Sequence, residues 1–180
     1  MDSLLKIRLY RMKAHMQSAL ELDSIAKIFK NQLSILFCAK EHLIGQLPVL
    51  ISHASFTILE KALEEDLEDT QFQIAALNSI FQQLDAQPEK ENCLAMNKII
   101  EEAKHQIVFN ADNRFESDMS ILFYMGVIEN LQVGAGRILS RIAALPAYLK
   151  YAQQVAESLD LSKENARLFL HIAEEYLQLA

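Results

Sequence analysis

The chain has 180 residues, enough for one domain with a real core, and its 51% apolar and 23% charged residues are a globular rather than a disordered composition. A formal charge of −7 argues against nucleic acid as a partner, and no apolar run approaches the roughly 20 residues that span a bilayer. Four glycines and three prolines leave little material for sheets with tight turns.

Residues 3–20 predict a first amphipathic helix, with Leu5, Leu9, Met12, Met16 and Ala19 on one stripe. Lys6, Arg8, Arg11 and Lys13 interrupt its apolar residues, so it does not read as a signal peptide. A basic amphipathic helix fits a membrane surface or a docking partner, but also, and more simply, an extra helix packed on the bundle or on a second subunit. Asp23 and Ser24 offer an N-cap for a second helix running to about Ser52, with Ile25, Phe29, Leu33, Phe37, Leu43 and Leu47 inward. Lys40 lies at the angular centre of that stripe, and Glu41 about 100° away at its edge. An ammonium in mid-stripe must be paired or must snorkel out.

The next helix is expected over about 54–85, centred on Leu59, Leu63, Thr70, Leu77 and Phe81. Asp66, Asp69 and Gln73 flank it, as a ligand cluster or, more simply, as a solvated border. Pro88 marks a loop, and a helix over about 92–110 follows, with Cys93, Met96, Ile100, Ala103 and Ile107 inward and Glu102 at the edge. Glu102 and His105 have the Glu-x-x-His spacing of bundle metal sites, but His105 points outward, so the pair reads as accidental. Cys38 and Cys93 form no metal or redox spacing and read as reduced thiols of a cytoplasmic protein.

The helix over 116–144 puts Asp118, Leu122, Met125, Glu129, Gln132, Gly136, Leu139 and Ala143 on one face. Glu129 and Gln132 therefore look into the core, where a lone charge is very costly and needs a metal, a basic group or water. A short helix over 147–158 is expected next, then a last one capped by Ser162, with Ala166, Leu170, Ala173, Tyr176 and Leu177 on its stripe. No strand pattern, phosphate loop or nucleophile elbow is present. The chain thus reads as one all-α domain: an extra helix at 1–22, a four-helix bundle at 24–144 and C-terminal helices at 147–180.

Four stretches resemble the YciF-like family of ferritin-like proteins, a bacterial stress-associated group. They are LSILFCAKEHLIGQLPVL (33–50), DLEDTQFQI (66–74), CLAMNKIIEEA (93–103) and DMSILFYMGVIENLQVGAGRIL (118–139). The resemblance implies a ferritin-like four-helix bundle with carboxylates and a His or Gln arranged inward around two iron or manganese ions. Carried over residue by residue, that site is eroded. Lys40 stands where the family has an inward Glu, Asp69 and Gln73 remain on the second helix, and Glu102 on the third. Glu129 is kept on the fourth, followed by Asn130 and, one turn on, Gln132.

An ammonium at a ligand position repels a cation and fills its space. The reading is therefore a non-enzymatic protein that has lost its metal site, has no cofactor and acts by association in a stress-related role. Its core polar cluster would be Lys40, Asp66, Asp69, Gln73, Glu102, Glu129 and Gln132, with the ammonium paired to Glu129 or Glu102. The alternative is a working di-iron or di-manganese oxidase, peroxidase-like or storage protein, with Glu41, Asp69, Glu102 and Glu129 as ligands. A homodimer is expected from the resemblance and from Ile35 on an outer face, and an unknown protein partner is possible.

Overall fold

The structure is a computed structural model describing residues 3–89, 94–109 and 112–178, with side chains described from Glu21 onward apart from those of residues 96, 108 and 109. Among the described residues there is no strand. The helices are α1 (Ser3–His53), α2 (Thr57–Gln83), α3 (Leu94–Phe109), α4 (Arg114–Ala143) and α5 (Ala152–Gln178), with a 3₁₀ segment Pro146–Tyr151 before the last. The stripe and basic face expected over 3–20, and the expected inward placement of Cys93 and Met96, lie outside the described residues or side chains.

The two expected N-terminal helices are one helix of 51 residues. No glycine or proline stands between Leu20 and Ile25, so Asp23 and Ser24 continue the helix instead of capping a new one. Its segment Glu21–His53 is long and apolar enough to cross a membrane by length and composition, with mean hydropathy 1.3, which corrects the sequence reading. Half of that window is buried against the other helices. A Schellman motif ends α2: Ala86 N–H donates to Phe81 O and Asp85 N–H to Gln82 O, with Asp85 at φ 49°. Asn113 caps α4, its side chain accepting from Glu116 N–H at 3.3 Å.

The principal interfaces join α1 to α2, α2 to α5, α5 to α4 and α4 to α1, so these four helices close a ring. The diagonal pairs make no comparable interface, and α3 packs on the outside of α1 and α4. This is a ferritin-like bundle, with α3 lying in the crossover between two hairpins. The C-terminal segment differs from its expected accessory place. It supplies the fourth wall, because no helix breaker occurs between Ala152 and Gln178 and Ser162 lies inside one continuous helix.

Two apolar clusters fill the ring. One gathers Phe29, Leu33, Phe37, Leu77, Phe81 and Tyr151, and the other Leu43, Leu47, Leu63, Ile100, Met125 and Phe169. Each such side chain, fully buried, stabilises the fold by about 1.5–3 kcal/mol. Gly136 on α4 meets the side chain of Leu159, to which a Cβ would come within 3.0 Å, so α5 approaches closely there. All eight residues expected on the inner face of α4 are buried. On α5 the expected stripe is rotated: Asn165, Phe169 and Ile172 are buried, whereas Leu170 is 62% exposed. Cys38 is disulfide-bonded, which corrects the expectation of reduced thiols and removes the argument for a reducing compartment.

Candidate functional site

Between the two apolar clusters runs a buried polar layer to which all four ring helices contribute: Lys40 from α1, Asp66 and Gln73 from α2, Glu129 and Gln132 from α4, and Ser158, Ser162 and Asn165 from α5. Helical periodicity brings them together. Glu129 and Gln132 are one turn apart, Asp66 and Gln73 two turns, and Ser158, Ser162 and Asn165 follow one stripe of α5.

Lys40 has no exposed surface. Its Nζ donates to Gln73 Oε1 at 2.5 Å and to Gln132 Oε1. Both amides pass the polarity on. Gln132 Nε2 donates to Glu129 Oε1 at 2.9 Å, and Gln73 Nε2 donates to Ser158 O at 2.8 Å and to Ser162 Oγ at 3.3 Å. Asp66 Oδ1 accepts from Asn165 Nδ2 at 2.7 Å. In the layer Asp66 Oδ2, Glu129 Oε2 and Thr70 Oγ1 are buried without a well-formed hydrogen bond among the described residues, although the Thr70 hydroxyl lies near Asp66 and that of Ser162 near Glu129.

The electrostatics follow from burial with too few counter-charges. Desolvation lowers the Lys40 pKa, opposed by Glu129, Asp66 and Asp69. Desolvation pushes Glu129 up to about 8, aided by Asp66 and opposed by Lys40. Asp66 is pushed up to about 6 by desolvation, opposed chiefly by Lys40 and the Asn165 hydrogen bond. Burial thus pushes the Lys40 ammonium and both carboxyls toward their neutral forms, and their mutual attraction opposes that push.

The expected cluster is thus corrected at several places. Among the described residues Lys40 makes no ion pair; two amides, not a carboxylate, receive its ammonium. Glu102 is exposed and accepts from Gln106 Nε2 at 3.0 Å, because α3 lies outside the ring. Asp69 is half-buried at the edge of the layer, and Glu41 is exposed outside it. Asp66 and Gln73 are core residues, as the expected cluster had them, and not the solvated border that helical phase alone favoured. Ser158, Ser162 and Asn165 were not anticipated, although polar residues at i, i+4 and i+7 within an otherwise apolar stripe were the available signal.

A dinuclear site needs several carboxylates around two cations. The residues present do not fit one. Asp66 and Glu129 are the carboxylates of the layer, the ammonium of Lys40 stands among them, and no group of three His, Cys, Asp or Glu side chains among the described residues could hold a metal ion.

Four helical walls around a buried polar layer define a ferritin-like fold. The chain belongs to the YciF-like family: residues 24–179 match the family described as Domain of unknown function (DUF892). The Escherichia coli stress protein YciF is similar in fold, with 22% identity and a TM-score of 0.79 over 86% of this chain and 97% of that one. YcfI of Rhodopseudomonas palustris is also 22% identical, with a TM-score of 0.75 over 81% of this chain and 92% of that one. No curated protein matches the chain.

Proposed function

We propose that this chain is a non-enzymatic ferritin-like protein that works by association, with itself or with another protein, in a stress-related role. The observation that carries the reading is the buried Lys40 ammonium hydrogen-bonded to Gln73 and Gln132, in the layer where a metal-bearing bundle would hold carboxylates. The polar layer then serves to fix the register of the four helices, since a buried polar group tolerates only the arrangement that satisfies it. The stress role rests on the likeness to a protein described as a stress protein. Self-association is proposed as a homodimer, supported by several large apolar side chains left exposed, Ile138 and Leu149 among them.

Elemental analysis tests the reading on protein expressed with added iron or manganese and purified without chelator. The expected content is far below one ion per chain. Stoichiometric iron or manganese would replace this reading with a di-iron or di-manganese carboxylate protein. Light scattering at micromolar concentration tests the dimer, which a monomer mass would remove.

A further inference from the structure

The outer side of the α4–α5 pair carries a groove of about 890 Å³, within the range of small-molecule sites. Its floor includes Leu122, Val133 and Phe169, and its walls include Phe123 and Leu170, which are 64% and 62% exposed. Gly126 opens it, because a Cβ there would meet nothing within 4 Å. Its polar groups are gathered toward the C-terminal half of α4 and the middle of α5: Asn130, Arg137, Lys163 and Arg167. No Asp or Glu lines it, in a chain with a net charge of −7. Lys163 is paired with Asp160 at 2.8 Å, whereas Arg137 and Arg167 make no ion pair among the described residues.

We propose that this groove binds a single-chain amphiphile with an anionic head, a long-chain carboxylate. The head lies at Arg137 and Arg167 and the chain runs along Gly126 toward Phe123 and Leu170. Charge complementarity carries the choice of occupant. A second copy seated groove to groove across a two-fold axis would bring these like charges together. The N-terminal stretch, with Lys6, Arg8, Arg11 and Lys13, has the wrong sign. An amphipathic helix separates charge from apolar surface across its width, whereas this groove separates them along its length. Guanidinium groups suit a carboxylate because they offer paired donors to its two oxygens.

The probe is dansylaminoundecanoate, whose fluorescence rises in an apolar site, with dodecanoate and dodecanol as competitors. The chain has no Trp to interfere. The expected result is saturable 1:1 binding, displaced by dodecanoate and at least about tenfold less well by dodecanol, as the loss of a charge-assisted pair predicts. Gly126→Phe fills the groove and replaces a helix glycine, so it should abolish binding while keeping the wild-type helical circular dichroism and melting transition. Arg137→Gln with Arg167→Gln should weaken dodecanoate and leave dodecanol unchanged. Absence of saturable binding, equal competition by the alcohol, or wild-type binding by Gly126→Phe would each overturn the proposal. Binding of an acidic amphipathic peptide at Gly126 in place of dodecanoate would also overturn it, in favour of a protein-docking groove.

Discussion

Lys40 and Glu129 share one buried layer without forming an ion pair, and the Gln132 amide stands between them, accepting from the ammonium and donating to the Glu129 carboxyl at 2.9 Å. This arrangement suits a buried interior. A direct pair would satisfy one donor and one acceptor and leave the rest of each group bare. The amide engages both groups with its own two ends, and Gln73 repeats the device toward α5.

Lys40→Ala should therefore be among the most damaging single changes. It leaves the Gln73 and Gln132 oxygens without their shared donor, at about 1–3 kcal/mol each, and opens a cavity where the side-chain stem was packed. A total loss of about 3–5 kcal/mol is expected from urea unfolding. Lys40→Met keeps most of the volume, so it should cost clearly less. Equal losses for the two variants would show that the ammonium, and not packing, accounts for the whole effect.

The layer also sets a pH dependence. Asp66 is raised from 3.8 to about 6 and Glu129 from 4.5 to about 8, so the folded chain binds these protons more tightly than the unfolded one. Their contribution is then greatest in acid and falls as pH rises through about 4 to 8. Lys40, lowered from 10.5, acts the other way and favours folding as pH climbs toward that value. No titratable side chain from α5 joins the buried layer; Ser158, Ser162 and Asn165 are its contribution. Glu129→Gln should remove most of the wild-type slope between 4.5 and 8, on the order of a few kcal/mol. Parallel stability profiles for the two proteins across that interval would contradict this.

Much of the layer was legible from phase alone. The stripes of α1 and α4 are long and regular, so Lys40, Glu129 and Gln132 could fall nowhere but inside. Glu102 was not legible in the same way. A residue about 100° from Ala103 faces the core only if its helix is enclosed on that side, and α3 touches the ring along one flank. The contribution of α5 was hidden because Ser162 resembles an N-cap. Caps end or start helices only where the flanking residues fail to propagate them, and Val155 to Asn165 propagate well enough. The rotated stripe of α5 has a related cause: Ala166, Leu170 and Ala173 are apolar, but they line the outer groove rather than the core.

Asp118 holds one end of the bundle shut. Its Oδ1 accepts from Ser55 N–H at 2.8 Å, and its Oδ2 from Ser55 Oγ at 2.6 Å and from Tyr176 Oη–H at 2.9 Å. One carboxylate thus ties the α1–α2 link and the end of α5 to the start of α4. Tyr176 also stacks on Phe56, with centroids 4.6 Å apart. Asp118→Ala should cost about 2–4 kcal/mol, since three donors lose a charged acceptor at once. Hydrogen exchange should report the damage locally, with early loss of protection at the start of α2 and the end of α5. Unchanged protection there would mean that the aromatic stack alone fixes this end.

Two features of the layer oppose metal binding: its few carboxylate donors and the ammonium of Lys40. Lys40→Glu changes one residue and tests both. It removes the ammonium and puts a third carboxyl beside Asp66 and Glu129, with Gln73 and Gln132 still able to offer amide oxygens. Without a cation, three carboxyls in a buried layer repel one another, so the variant should be strongly destabilised and should recover in acid as they protonate. With a divalent cation the same carboxyls become ligands, and binding to the folded state alone stabilises it by mass action. Millimolar manganese should therefore raise the melting temperature of Lys40→Glu and leave that of the wild type where it was. Magnesium, which dehydrates reluctantly and demands strict octahedral geometry, should do less. If manganese fails to stabilise Lys40→Glu at any pH where it folds, the ammonium is not what excludes the metal, and the missing donors of the layer are the reason instead.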